Sequence, residues 1–192
     1  SAFTPNYAFP STLTSLTIGK LGNTANISVP YSLSVAGPIS IYGGSLYVGG
    51  TLTSTTGSNL LLQGSGDVVV AGNVSTTGSF TGRAGSLYSF VLGMNYATGV
   101  GSTITANGGV TLSAGTTYLA GSVTTVANPI SVMGNVHVAN LAADPVATPI
   151  TLDSGGGSIT IIGGTMSGFS GTVADYGALS LNKSNSATGS AL

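Results

Sequence analysis

Residues 44–56 read GSLYVGGTLTSTT and residues 66–78 read GDVVVAGNVSTTG. Placed 22 positions apart, Leu46 falls on Val68, Val48 on Val70, Gly50 on Gly72 and Leu52 on Val74. Apolar residues meet apolar residues and glycine meets glycine. Such self-similarity is the signature of a repeat architecture and governs every other reading of the chain.

The unit extends outward from this stretch. Val110/Leu112, Ile130/Val132 and Ile150/Leu152 recur at an offset of 20, with Pro129 and Pro149 ahead of the second and third pairs. A longer echo links GPISIYGGSLYVGG at 37–50 with NPISVMGNVHVAN at 128–140. Within each unit short segments alternate, as in Ile39/Ile41, Leu46/Val48, Val68/Val70, Val136/Val138 and Ile159/Ile161, so each presents one apolar edge. Gly, Asn and Pro punctuate them at Gly43-Gly44, Gly49-Gly50, Gly64 to Gly66, Asn107 to Gly109 and Gly155 to Gly157. The implied unit is three short strands per period of about 20 to 22 residues.

A sandwich of antiparallel hairpins gives residues 22 apart no reason to resemble one another. In a solenoid they lie on top of each other and form ladders of Val, Ile and Leu. The sequence therefore predicts an all-β right-handed parallel β-helix (β-solenoid). With ~4.8 Å between hydrogen-bonded strands it makes about nine coils and a rod roughly 40 Å long. Residues 1–30 are read as an N-terminal arm with the first coil or cap, 31–182 as the solenoid and 183–192 as a polar tail. The sequence starts at Ser1 with no methionine and no basic-plus-apolar leader, which is read as a processed or excised beginning.

Composition agrees with that geometry. The 192 residues include 31 glycines, no cysteine and no tryptophan, and only 4% are charged against roughly 25% in ordinary soluble domains. Stacked like charges repel, whereas stacked Ser and Thr stabilise by a few tenths of a kcal/mol per pair. A mean hydropathy of +0.47 argues for folding rather than disorder. Gly and β-branched residues displace the helix formers, and no apolar run reaches the ~18 residues of a membrane-spanning helix. A net charge of −1 offers no basic surface to nucleic acid. Absence of cysteine is neutral for localisation, since a long β core needs no disulfides.

The stretch 37–78, GPISIYGGSLYVGGTLTSTTGSNLLLQGSGDVVVAGNVSTTG, resembles the repeat region of filamentous-haemagglutinin-like giant adhesins. GGVTLSAGTTYLAGSV at 108–123 and GGGSITIIGGTMSGFSGTVADYGALSLN at 155–182 look like the same repeats. The resemblance implies a secreted bacterial β-helix, on the cell surface or released, acting in adhesion or biofilm structure and carrying no catalytic residues. Residues 1–30 depart from that pattern in having no recognisable secretion-domain opening.

Site chemistry has few carriers. His137, between Val136 and Val138, is expected to point outward, with Asp144 its nearest carboxylate, and no Ser-His-Asp spacing is visible. The aspartates at 67, 144, 153 and 175 are expected to cap turns beside glycine. The glycan-lyase alternative would need Asp153 and Asp175, 22 apart, stacked on adjacent coils. One histidine and no cysteine cannot build a zinc or iron site, and no calcium-binding Gly-Gly-x-Gly-x-Asp run appears. Tyr42, Tyr47, Tyr88 and Tyr118 are expected on outer surfaces, chiefly as cross-strand or protein contacts, with sugar stacking the second reading. Thr12/Thr14, Thr51/Thr53 and Thr103/Thr105 do not keep the period, which counts against an ice-binding face. The Asn-x-Ser/Thr matches at Asn26, Asn73 and Asn182 are chance-level in such a Ser/Thr-rich chain.

No catalytic, cofactor-binding or metal-binding residue is assigned, and no cofactor is expected. The expected function is non-catalytic: an extracellular or cell-surface building block of a fibre or adhesin. Its partners are itself, by end-to-end packing, or other surface and matrix components. No nucleic acid partner and no membrane span are expected. The uncapped ends and the aromatic arm SAFTPNYAFPS at 1–11 point to self-assembly. The alternative is a glycan-binding or glycan-cleaving β-helix protein.

Overall fold

A computed structural model describes residues 13–93, 101–138, 150–162, 166–167 and 179–182. Described strands run in chain order through repeated circuits. The first is β1 (Leu16–Ile18), β2 (Ile27–Val29) and β3 (Leu33–Val35); the second is β4 (Ile39–Gly43), β5 (Leu46–Val48) and β6 (Leu52–Ser54). The third is β7 (Leu60–Gly64), β8 (Val68–Val70) and β9 (Val74–Thr76); the fourth is β10 (Phe80–Arg83), β11 (Ser89–Leu92) and β12 (Thr103–Ala106). Then follow β13 (Val110–Leu119) and β14 (Ser122–Thr124), β15 (Ile130–Val138) and β16 (Ile150–Asp153), and finally β17 (Ile159–Ile162), β18 (Met166–Ser167) and β19 (Leu179–Asn182). Among the described residues there is no helix, and so none long and apolar enough to cross a membrane.

Among the described residues every strand pairing is parallel, and each strand between the first and last of its stack pairs with its counterparts in the circuits before and after it. Three stacks result, consistent with a β-solenoid. The first runs from β1 to β17 and the second from β2 to β18; the long strands β13 and β15 bend through both and join them into one twelve-stranded sheet. The third, from β3 to β19, is a separate seven-stranded sheet. Leu46 pairs with Val68 and Leu52 with Val74, as the repeat requires.

Register steps explain where the sequence period slips. Ile39↔Leu60 and Val110↔Ile130 are 21 and 20 residues apart, but Phe80↔Val110 and Ile130↔Ile159 are 30 and 29 apart. Shorter additions lie between the first and second stacks, where eight residues separate Ile18 from Ile27 and five separate Arg83 from Ser89, against two between Gly43 and Leu46. The longest additions enter between the second and third stacks. That corner takes three residues between Val48 and Leu52 and between Val70 and Val74, but ten between Leu92 and Thr103. Longer segments also separate Val138 from Ile150 and Ser167 from Leu179. In consequence the Ile130/Ile150 match is corrected: Ile130 pairs with Ile159, while Ile150 lies in the third stack opposite Leu179. The echo between 37–50 and 128–140 does mark one stack, since Ile39 and Ile130 belong to the same ladder.

Alternation places the core. In most three-residue strands the outer two side chains are buried and the central one faces out, as in β5 and β8, while β14 buries its central Val123. Ile39, Leu60, Phe80 and Ile130 of the first stack, Leu46, Val68 and Phe90 of the second, and Leu52, Ile104 and Leu152 of the third are fully or almost fully buried. Each such side chain contributes about 1.5–3 kcal/mol of transfer free energy.

Polar backbone at the corners is satisfied by buried hydroxyls. Ser54 Oγ donates to the carbonyl of Gly37 at 2.8 Å, Thr125 Oγ1 to that of Asn128 at 2.6 Å and Ser154 Oγ to that of Gly157 at 2.7 Å, while Thr76 Oγ1 donates to Ser58. These four occupy corresponding inward positions at the end of the third stack, where the chain turns toward the first.

Candidate functional site

The polar residues that precede strands have a common job. Asn26 Oδ1 accepts the Ser45 N–H at 2.9 Å, Asp67 Oδ1 the Ser89 N–H at 2.8 Å, and Asn59 Oδ1 the Ser79 N–H at 3.0 Å. Ser32 Oγ, Asn73 Oδ1 and Ser122 Oγ likewise accept from Thr51, Thr103 and Thr151 at 3.1, 3.0 and 3.0 Å. In all six the acceptor and donor each stand immediately before a core residue, such as Val68 after Asp67 and Phe90 after Ser89. Each bond pins one circuit to the next where the ladder begins, and contributes about 0.5–1.5 kcal/mol.

This geometry locates the residues weighed for chemistry. Asp67 is one of these staples. Asp153 Oδ1 accepts the Gly155 N–H at 2.9 Å, a turn cap that Gly155 permits by adopting a φ of 58°. On the backbone Asp153 is paired with Thr124 and Asn182, so the position stacked on it is Asn182 and not residue 175. Asp144 and Asp175 lie outside the described residues. His137 is half-buried and in register with Tyr118, their rings edge-on at a centroid distance of 5.3 Å. Among the described residues no three His, Cys, Asp or Glu side chains come together.

Tyr47 and Tyr88 are exposed, and Tyr42 and Tyr118 half-buried. The threonine pairs need a correction. Thr51/Thr53 and Thr103/Thr105 share the outer surface of the third stack in one register, two circuits apart, because the insertion before Thr103 accounts for the irregular spacing. That surface is not a threonine grid, since Asn73/Ser75 lies between the two pairs and Asn73 is held as a staple.

A groove runs along the corner between the second and third stacks. It has a volume of about 540 Å³ and spans four circuits, from Tyr31 and Ser32 through Gly49–Thr51 and Ala71–Asn73 to Gly101 and Ser102. Stacked glycines form its floor: a Cβ on Gly50 would lie 2.1 Å from the Tyr31 carbonyl carbon, and one on Gly72 2.1 Å from the Gly50 oxygen. The circuits approach too closely here for any side chain. Tyr31 stands 56% exposed at one end. The Tyr47 ring leans toward the same corner, its Cε1 2.9 Å from where a Gly49 Cβ would sit. Sequence reading missed Tyr31 because it lies between strands, outside any alternating pattern; Pro30-Tyr31 in a corner slot was the only signal.

The chain matches no protein-family model, no curated protein and no solved structure.

Proposed function

We propose that this chain is a non-catalytic structural part of an extracellular or cell-surface fibre or adhesin, built as a right-handed β-solenoid. The right hand follows from the near-universal preference of parallel crossovers, and a coil of 20 to 22 residues is the unit to which the corner insertions are added. The observation that carries this reading is the likeness of successive levels: the ladders offer apolar interiors, aliphatic except for Phe80 and Phe90 in the fourth circuit, and backbone pairing of one kind. The first and last described strands of each stack pair with one neighbour among the described residues, so a further copy continues the ladders rather than requiring a different interface. The sparse charge supports the same reading, because close stacking of copies then meets little repulsion.

Electron microscopy of the protein at rising concentration tests it. Filaments or end-on oligomers are the expected result. Short rods that remain single at every concentration, with no attachment to cells or matrix, overturn it.

A further inference from the structure

We propose that the corner groove between the second and third stacks binds a neutral glycan. All residues lining it are uncharged, so a phosphorylated, sulfated or carboxylated polymer finds no counter-charge there. What the groove does offer is the pairing that sugars require: aromatic surface for the C–H face of a pyranose ring and fixed small polar groups for its hydroxyls.

The aromatic component is Tyr31, 56% exposed, which lines the groove beside its glycine floor; Tyr47, 45% exposed, stands outside the lining but against Gly49 at its edge. The polar component is held in place before any ligand arrives. Ser32 Oγ and Asn73 Oδ1 are each engaged by a backbone N–H of the next circuit, which fixes both side chains and leaves the Ser32 hydroxyl proton and the Asn73 Nδ2 to donate. Preorganisation of this kind lowers the ordering cost of binding. The four circuits are separated by three strand spacings, roughly 15 Å in all, the length of a short oligosaccharide. Because the floor is backbone, a flat ring approaches it without displacing a side chain. The proposal does not depend on self-assembly, and the two fail separately: one is read by microscopy, the other by sugar binding.

The full-length protein is probed with cellohexaose, chitohexaose and maltohexaose by saturation-transfer-difference NMR, and with insoluble cellulose and chitin by co-sedimentation. Saturable binding of at least one hexaose is expected, unchanged by added salt. Binding to the soluble probes alone identifies a free oligosaccharide as the ligand, and retention on an insoluble polymer as well identifies a segment within a longer chain. Tyr31→Ala is expected to weaken binding by about tenfold or more, while Tyr31→Phe keeps it; far-UV circular dichroism verifies that both variants fold. No binding to any probe, or equal binding by wild type and Tyr31→Ala, overturns the proposal.

Discussion

The ring of Phe90 fills the space that a side chain at Gly82 would need: a Cβ on Gly82 would lie 2.3 Å from Phe90 Cε2. Gly82 occupies a ladder whose neighbours above and below are Leu62 and Leu112. The fourth circuit thus exchanges a leucine-sized residue in one stack for phenylalanine in another, and Phe80 and Phe90 pack edge-on at 6.3 Å. Bulk missing at Gly82 is supplied from the neighbouring stack by Phe90. Gly82→Ala, which looks like a consensus improvement, is expected to lower stability by about 1–3 kcal/mol through overpacking. Combining it with Phe90→Leu is expected to cost less than the two single changes added together. Urea denaturation of the four proteins of this cycle measures the coupling.

Two buried threonines are expected to respond in opposite directions. Thr117 is fully buried with its Oγ1 unpaired, whereas Thr76 Oγ1 donates to Ser58 and accepts the Gly78 N–H. Replacing Thr117 by Val removes an unsatisfied polar atom and is expected to raise stability by about 1 kcal/mol or more. Thr76→Val strands the Gly78 N–H and removes one of the two hydroxyls that donate to the Ser58 carbonyl, the other being that of Ser54, and is expected to cost about 1–3 kcal/mol. Thermal melts of both variants check the signs; destabilisation by Thr117→Val to the same extent as by Thr76→Val would show that the hydroxyl is not the deciding atom.

Asp67 separates staple from acid. Its oxygen accepts the Ser89 N–H, a task an amide oxygen performs as well. Asp67→Asn is expected to leave fold, assembly and sugar binding near wild type, while Asp67→Ala destabilises by about 1–2 kcal/mol. Loss of any detected activity in Asp67→Asn, with the melt unchanged, contradicts a purely structural carboxylate.

Self-association is expected to change little between low and high ionic strength, because three basic and four acidic residues leave screening little to act on. Light scattering across a salt series measures this, and a steep dependence would point to ionic contacts between copies.

The three-strand unit is legible because stacked positions must share chemistry: Leu46 over Val68 and Leu52 over Val74 show in the sequence itself as a repeat. The alternation also placed Tyr47 and His137 correctly opposite the core side of their strands. What the sequence concealed lies chiefly at the corner between the second and third stacks. Insertions there carry no aliphatic pattern, so they shift the count without announcing themselves, which is why Ile150 was matched to the wrong ladder and Thr103 appeared out of phase with Thr51. The groove was hidden for a related reason: its floor depends on glycines from successive circuits, and glycine in the sequence does not reveal whether a neighbour presses against it or open space surrounds it.

Gathering the longest additions at a single vertex has an engineering consequence. Material spliced in between Leu92 and Thr103 leaves the pairing of β11 with β8 and of β12 with β9 in register, so the scaffold tolerates cargo at that edge. A foreign peptide displayed there, and repeated wherever the column passes the same edge, would be presented in a line at multiples of the strand spacing.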